Sequence, residues 1–107
     1  MHDDIPGDIG TKVLFENDRI RVWEVRLEPG ESVHRHEHKF DYVQVMIEGD
    51  KIAANIDPAS SGRWAGEGYV EADVENGKTI WAEAGSVHDT INTGEQTFYE
   101  ILVELKG

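Results

Sequence analysis

The amino-acid sequence predicts an all-β protein whose short strands form a single barrel or sandwich. No segment of the 107 residues has apolar side chains at the i, i+3, i+4, i+7 spacing of an amphipathic helix. Short runs rich in β-branched and aromatic residues recur instead, and turn-forming residues separate them. Strands of this number and spacing are typical of closed or double-layered sheets that leave few exposed edges.

Each predicted strand is a run of β-forming residues that ends at a turn signal. The predicted strands are Lys12–Phe15, Ile20–Leu27, Ser32–His38, Tyr42–Ile47, Ile52–Ile56, Tyr69–Val74, Thr79–Ala82, His88–Asn92 and Phe98–Leu105. Pro29-Gly30 turns the chain after the second strand, and Asn76-Gly77 is a strong signal for a tight hairpin. Residues 57–68 are rich in glycine and serine, so they are predicted to form a long loop that serves as a lid or rim.

Length and charge limit the classes of function. One domain is expected at residues 11–107, after an acidic and flexible N-terminal segment at residues 1–10 that includes His2. The chain carries 22 acidic and 10 basic residues, a net charge of -12, which would repel nucleic acid and anionic membranes. The sequence shows no apolar run long enough for a membrane span and no leader pattern, so a soluble, cytoplasmic protein is expected.

Cysteine chemistry is excluded, because the sequence contains no cysteine. Disulfides, thiolate zinc sites, iron-sulfur clusters and cysteine nucleophiles are therefore all ruled out. Histidine, carboxylate, tyrosine or hydroxyl groups must carry any chemistry that the protein performs.

Three histidines alternate along the third predicted strand. His34, His36 and His38 are expected to project from one face, because side chains two residues apart on a strand share a face. Neutral imidazole is a common ligand for zinc, iron, nickel, copper and manganese. The alternative is a solvent-facing strand on which these histidines are ordinary polar surface, and spacing along one strand does not decide between the two.

Two spaced motifs extend this pattern, and with them the chain resembles the cupin superfamily. In the first motif, Gly30 is followed after five residues by His36-Glu37-His38, then after three by Tyr42 and after six by Gly49. In the second, Ala84-Gly85-Ser86-Val87-His88 is followed after three residues by Asn92. The resemblance implies a double-stranded β-helix, or jelly-roll, barrel that is commonly a homodimer. It also implies a divalent metal inside the barrel, bound by His36, His38 and His88.

The sequence departs from the cupin pattern at the position where the family usually has a fourth ligand, a glutamate. Tyr42 occupies that position, and Asp41 precedes it. In this register Tyr42 either ligates the metal as a phenolate or leaves a three-histidine site with open positions, and Gln44 and Met46 face the pocket.

A second register remains open. The motif can also start at His34, which pairs His34 and His36 with the carboxylate of Asp41 and turns Val43, Val45 and Ile47 inward. The apolar pattern favours this second register, whereas Gly30 and Gly49 favour the first. His34 is placed among the pocket-lining residues, together with Gln44 and Met46.

The leading functional hypothesis is a small metalloenzyme of the dioxygenase, isomerase or lyase class. Its substrate would be a small polar metabolite that chelates the ion, which would be iron, manganese, nickel or zinc, while Tyr42 or Asp41 moves a proton. The alternative is a non-catalytic cupin module that binds a small ligand. A third interpretation is a structural dimer in which the histidines have no ligand.

Overall fold

The computed structural model describes residues 5–107, and residues 1–4, including His2, lie outside the described part. Within residues 5–107 nine strands are present. They are β1 Lys12–Glu16, β2 Ile20–Leu27, β3 Ser32–Glu37, β4 Asp41–Glu48, β5 Lys51–Asn55, β6 Tyr69–Asp73, β7 Thr79–Ala82, β8 Val87–Ile91 and β9 Phe98–Leu105.

The strands form two antiparallel sheets. One sheet has the order β1-β2-β9-β4-β7, and the other has the order β3-β8-β5-β6. β9 is central in the larger sheet, since it pairs with β2 on one side and with β4 on the other along most of its length. The all-β prediction is confirmed, and the two layers enclose a core between them.

Alternation along β9 shows which face of the larger sheet is internal. Phe98, Glu100, Leu102 and Glu104 are buried, and the residues between them are partly exposed. The same alternation on β2 buries Trp23, Val25 and Leu27. The inward face of the sheet therefore combines an apolar core with two carboxylic side chains.

The N-terminal segment meets the barrel before β1 begins. Ile5 and Ile9 are buried, and the carbonyl of Pro6 accepts a hydrogen bond from the backbone N–H of Glu37 at 2.8 Å. The flexibility expected for residues 1–10 and the domain boundary at residue 11 stay predictions.

The long loop between β5 and β6 follows a path that glycine makes accessible. Gly62, Gly66 and Gly68 all have φ values between 74° and 83°, in the left-handed region that glycine adopts readily. Trp64 also has a positive φ, of 67°, which is uncommon for a bulky residue. The loop thus holds the Trp64 backbone in an uncommon conformation, next to Arg63.

β1 forms one edge of the larger sheet and exposes apolar side chains. Val13, Leu14 and Phe15 are each at least 40% exposed. An apolar edge strand is a surface suited to pairing with another chain, so it supports the expected homodimer, which stays a prediction. No helix within residues 5–107 is long and apolar enough to cross a membrane.

Candidate metal centre

Three histidines meet where β3 lies beside β8. His36 and His88 face each other in the β3–β8 register. His38 follows the end of β3, where its backbone N–H donates to the Ser86 carbonyl and its carbonyl accepts from the Gly85 N–H, both at 2.8 Å. The two motifs noted in the sequence are therefore held together by backbone hydrogen bonds.

The imidazole rings point their Nε2 atoms at one another. The Nε2 atoms of His36 and His38 are 3.2 Å apart, and those of His38 and His88 are 2.9 Å apart. One ligand atom from each of these residues lies within 4.8 Å of the others. All three side chains are buried. We call these three residues the histidine cluster.

Burial keeps the histidine cluster uncharged. It lowers the pKa of His36 and lowers that of His88 to about 3. The pKa of His38 also falls well below its ordinary value, first because of burial and then because of the neighbouring rings of His88 and His36. At neutral pH the three rings are neutral, which is the form that binds metal ions.

The hydrogen bonds of the histidine cluster fit a divalent metal ion. His36 Nδ1 lies 2.7 Å from the His34 carbonyl and donates to it, so its Nε2 carries a lone pair. Among residues 5–107, Nδ1 of His38 and Nδ1 of His88 have no hydrogen-bond partner. Two nitrogens in adjacent octahedral positions about 2.1 Å from one ion would lie about 3.0 Å apart, close to the observed Nε2 separations. A single ion would satisfy all three Nε2 atoms, whereas a proton on one of them can serve only one of the other two.

Tyr42, at the position of the usual glutamate, packs against the histidine cluster. Its ring stacks on His38 with centroids 4.0 Å apart and an interplanar angle of 19°. Burial raises the pKa of Tyr42 above its ordinary value, so the side chain is a neutral phenol. The choice between a phenolate ligand and a three-histidine site with open positions stays a prediction.

Asp41 is not part of the cavity wall. Its Oδ1 accepts a hydrogen bond from the backbone N–H of Ala84 at 2.8 Å, which ties β4 to the turn before β8. The expectation that Asp41 acts beside the metal is therefore wrong in its geometry, because Asp41 and Tyr42 are consecutive on a strand and point to opposite faces.

His34 is also outside the cavity. It is exposed and lines a shallow surface depression together with Pro6 and Arg35. The expected alternation of three histidines fails because the β3–β8 register shifts between Val33 and His36. A bulge of this kind inserts a residue and sends the side chains before and after it to different faces.

The structure selects the first of the two registers left open by the sequence. Tyr42 and Met46 are buried, and Gln44 between them also lines the cavity. Ile47 is 37% exposed, and Val43 and Val45 do not line the cavity. The spacing of Gly30 and Gly49 therefore predicted the inward face of β4 correctly, and the apolar alternation did not.

The histidine cluster lies in the wall of a cavity of about 360 Å³ between the two sheets. The apolar part of the wall comes from both sheets and consists mainly of Ile52, Ala53, Ala54, Ile80 and Leu102. Arg63 and Trp64 line it from the long loop, with the Trp64 ring centroid 6.1 Å from that of His88. The guanidinium of Arg63 stacks over Trp64 and donates to the Trp81 carbonyl at 3.2 Å.

Glu100 is a cavity residue that the sequence reasoning missed. It is 3% exposed, and its Oε1 accepts a hydrogen bond from Gln44 Nε2 at 2.6 Å. Burial raises the pKa of Glu100 to about 8, and the Gln44 hydrogen bond opposes this only in part. Its inward position follows from the alternation Phe98, Glu100, Leu102 in the last strand, which is visible in the sequence.

Comparison with known proteins gives the fold and a family. No protein-family model matches the chain, and neither does any curated protein. Among solved structures, the chain is similar to a cupin domain from Bordetella pertussis Tohama I, with 28% identity and a TM-score of 0.76 over 97% of this chain and 98% of that one.

Two further solved structures share the fold. An RmlC-like cupin family protein with a double-stranded β-helix fold, from Methanocaldococcus jannaschii, is 13% identical with a TM-score of 0.69 over 92% of this chain and 83% of that one. A cupin superfamily protein from Desulfitobacterium hafniense DCB-2 is 18% identical with a TM-score of 0.62, over 92% of this chain and 81% of that one.

Proposed function

This chain belongs to the cupin superfamily, and from that premise we propose that it is a small metalloenzyme of the dioxygenase, isomerase or lyase class. Its substrate would be a small polar metabolite that chelates a divalent iron, manganese, nickel or zinc ion. The observation that carries the proposal is the convergence of three buried, neutral Nε2 atoms on the wall of a cavity.

His36, His38 and His88 would hold the ion. When bound, a divalent ion on neutral ligands keeps its positive charge and polarises a chelated carbonyl or carboxylate. The ligand positions that the histidines leave free would open toward the cavity, where a bidentate substrate has room.

Tyr42 would hold or move a proton at the substrate. It lines the cavity beside His38 and is a neutral phenol, so its Oη carries a proton that it can donate. The apolar side chains of the wall exclude water from the substrate, and Arg63 supplies a positive charge that attracts anions. Asp41 has no role in this proposal.

Metal content tests the metal site directly. Elemental analysis of untagged protein is expected to find about one transition-metal ion per chain for the wild type, and less than a tenth of that for His36→Ala and His88→Ala. His34→Ala is the matched control, because it removes an exposed histidine from the same strand and should keep its metal. Stoichiometric metal in both His36→Ala and His88→Ala would contradict the assignment.

Turnover separates the enzyme from a ligand-binding module. Wild-type protein loaded in turn with iron, manganese, nickel and zinc would be screened against small polar acids and carbonyl compounds. Product formation that Tyr42→Phe lowers by about 100-fold supports the proposal, since positioned proton transfer contributes on this order. Saturable binding without product from any metal form would instead favour the non-catalytic module.

A further inference from the structure

A polar pair on the cavity wall stands apart from the histidine cluster. The register of β4 against β9 pairs Tyr42 with Glu104, Gln44 with Leu102 and Met46 with Glu100. Along the sheet, Glu100 is therefore farther from Tyr42 than Gln44 is from Tyr42. At about 3.3 Å per residue, the strand advances roughly 7 Å from Tyr42 to Gln44 and roughly 13 Å to Met46.

The hydrogen-bonding capacity of this pair is only partly used. Gln44 Nε2 donates to Glu100 Oε1, and within residues 5–107 neither Glu100 Oε2 nor the amide oxygen of Gln44 makes a hydrogen bond. No Lys or Arg in that part of the chain forms an ion pair with Glu100. Both side chains line the cavity, so the unused positions are available to a ligand.

Glu100 is a neutral acid at pH 7, which defines what the pair can recognise. A buried carboxyl without a cationic partner keeps its proton, and burial raises its pKa to about 8. Because Oε1 accepts from Gln44, the acid proton on Oε2 is a free donor. Gln44 also has its amide oxygen as a free acceptor beside it and its second N–H as a further donor. One donor next to one acceptor complements a carboxamide, which has a carbonyl oxygen and an N–H.

We propose that Gln44 and Glu100 determine specificity by binding the carboxamide at the far end of a short ligand whose other end chelates at the histidine cluster. The inference rests on the proposed function, because it takes the chelating end from there. Between the two ends the wall is apolar, with Ile52, Ile80 and Leu102, which suits an aliphatic chain. A terminal carboxylate would bring a negative charge and no donor for Gln44, and a terminal methyl group would leave both polar positions unpaired.

Three probes with one chelating head test the far end. N-Oxalylglycinamide, N-oxalylglycine and N-ethyloxamate carry the same 2-oxo carboxylate head and end in a carboxamide, a carboxylate and a methyl group. Their Kd values for metal-loaded protein would be measured by calorimetry. We expect the wild type to bind the carboxamide about tenfold more tightly than the methyl compound, as two buried hydrogen bonds provide.

Variants of the pair assign this preference to its residues. Glu100→Leu is expected to reduce the preference for the carboxamide to about twofold or less, because the donor is lost. Glu100→Gln should retain most of it, since an amide also donates. Gln44→Leu removes the acceptor and is expected to reduce the preference even if Glu100→Leu does not fold. Tyr99→Phe is the matched control, because Tyr99 precedes Glu100 on β9 and donates to Glu24 outside the cavity.

Pyruvate separates failure of this inference from failure of the proposed function. It carries the same 2-oxo acid head but is too short to reach Glu100. If metal-loaded wild type binds pyruvate but shows no preference for the carboxamide, or keeps that preference in both Glu100→Leu and Gln44→Leu, the inference is wrong and the metal site stands. If the wild type holds metal but does not bind pyruvate, the chelating end is wrong and the inference falls with it.

Discussion

Two groups of polar side chains flank Tyr42, and they differ in how completely they satisfy their own hydrogen bonds. On one side is the histidine cluster, through the stacking of Tyr42 on His38. On the other is Glu104, which pairs with Tyr42 across β4 and β9. Glu104 accepts from Arg21 Nε at 2.8 Å and from Trp23 Nε1 at 2.6 Å. We call Arg21, Trp23 and Glu104 the carboxylate cluster.

The carboxylate cluster is complete by itself. Arg21 and Trp23 both donate hydrogen bonds to the Glu104 carboxylate. The hydrogen bond from Arg21 to Glu104 raises the pKa of Arg21, so the two charges stabilise each other. The histidine cluster brings three Nε2 atoms together, and a proton on one of them can serve only one of the other two. A group that satisfies itself serves the fold, whereas a group that needs a further atom indicates a ligand.

The largest expected difference between the two clusters is in folding stability without metal. Glu104→Leu should lower the free energy of unfolding by about 3 kcal/mol, because it leaves the Trp23 N–H buried without an acceptor and Arg21 without its partner. His38→Leu should change it by less than about 1 kcal/mol, because the loss of the Nε2 contacts is offset by the removal of a buried Nδ1 that has no hydrogen-bond partner among residues 5–107. Urea unfolding of the metal-free proteins measures both free energies. Equal losses in Glu104→Leu and His38→Leu would contradict the proposed difference between the two clusters.

Metal binding should stabilise the fold through the histidine cluster only. For wild-type protein, free metal at about 100 times its Kd is expected to raise the free energy of unfolding by about 2.7 kcal/mol. Glu104→Leu should gain a similar increment, whereas His38→Leu should gain almost none. Urea titrations with and without added metal test this, with His34→Ala as the control for binding to exposed imidazole. Equal stabilisation of His38→Leu would show that the metal binds elsewhere.

The sequence predicted the strands well because their signals are local. The bounds expected for β2 and β9 are those observed, Ile20–Leu27 and Phe98–Leu105. β-branched and aromatic runs between turn residues are sufficient for that level of detail. The spaced motifs also brought His36 and His88 together, which the β3–β8 register confirms.

Sequence reasoning was least reliable around the cavity. Apolar alternation alone favoured Val43, Val45 and Ile47 as the inward face of β4, whereas the motif spacing placed Gln44 and Met46 in the pocket, which they line. Glu100 was missed because an acidic residue on a strand is usually exposed. The β3 bulge that turns His34 outward has no signal in the alternation of residue types, since a bulge depends on how two strands pair.

Glu100 offers the smallest but most specific test of the comparison, because it lies on β9 with Glu104 yet only Gln44 bonds to it within residues 5–107. Its pKa is about 8 in the folded protein against 4.5 for an ordinary glutamate. As pH rises between these values, the unfolded chain has lost a proton that the folded chain still holds. Stability of the wild type should therefore fall by about 1.4 kcal/mol per pH unit from this group.

Glu100→Gln removes that titration and keeps the shape of the side chain. The free energy of unfolding of Glu100→Gln minus that of the wild type should increase by about 1.4 kcal/mol from pH 6 to pH 7 in metal-free protein. Urea titrations at the two pH values measure it, and histidine protonation cancels because both proteins contain the same rings. Glu104→Gln, measured alongside, is the control variant on the same strand, because it changes a carboxylate that is paired with the Arg21 cation. A difference for Glu100→Gln that is independent of pH would mean that Glu100 is ionised in the fold, and the cavity would then hold a buried carboxylate in place of a hydrogen-bond donor.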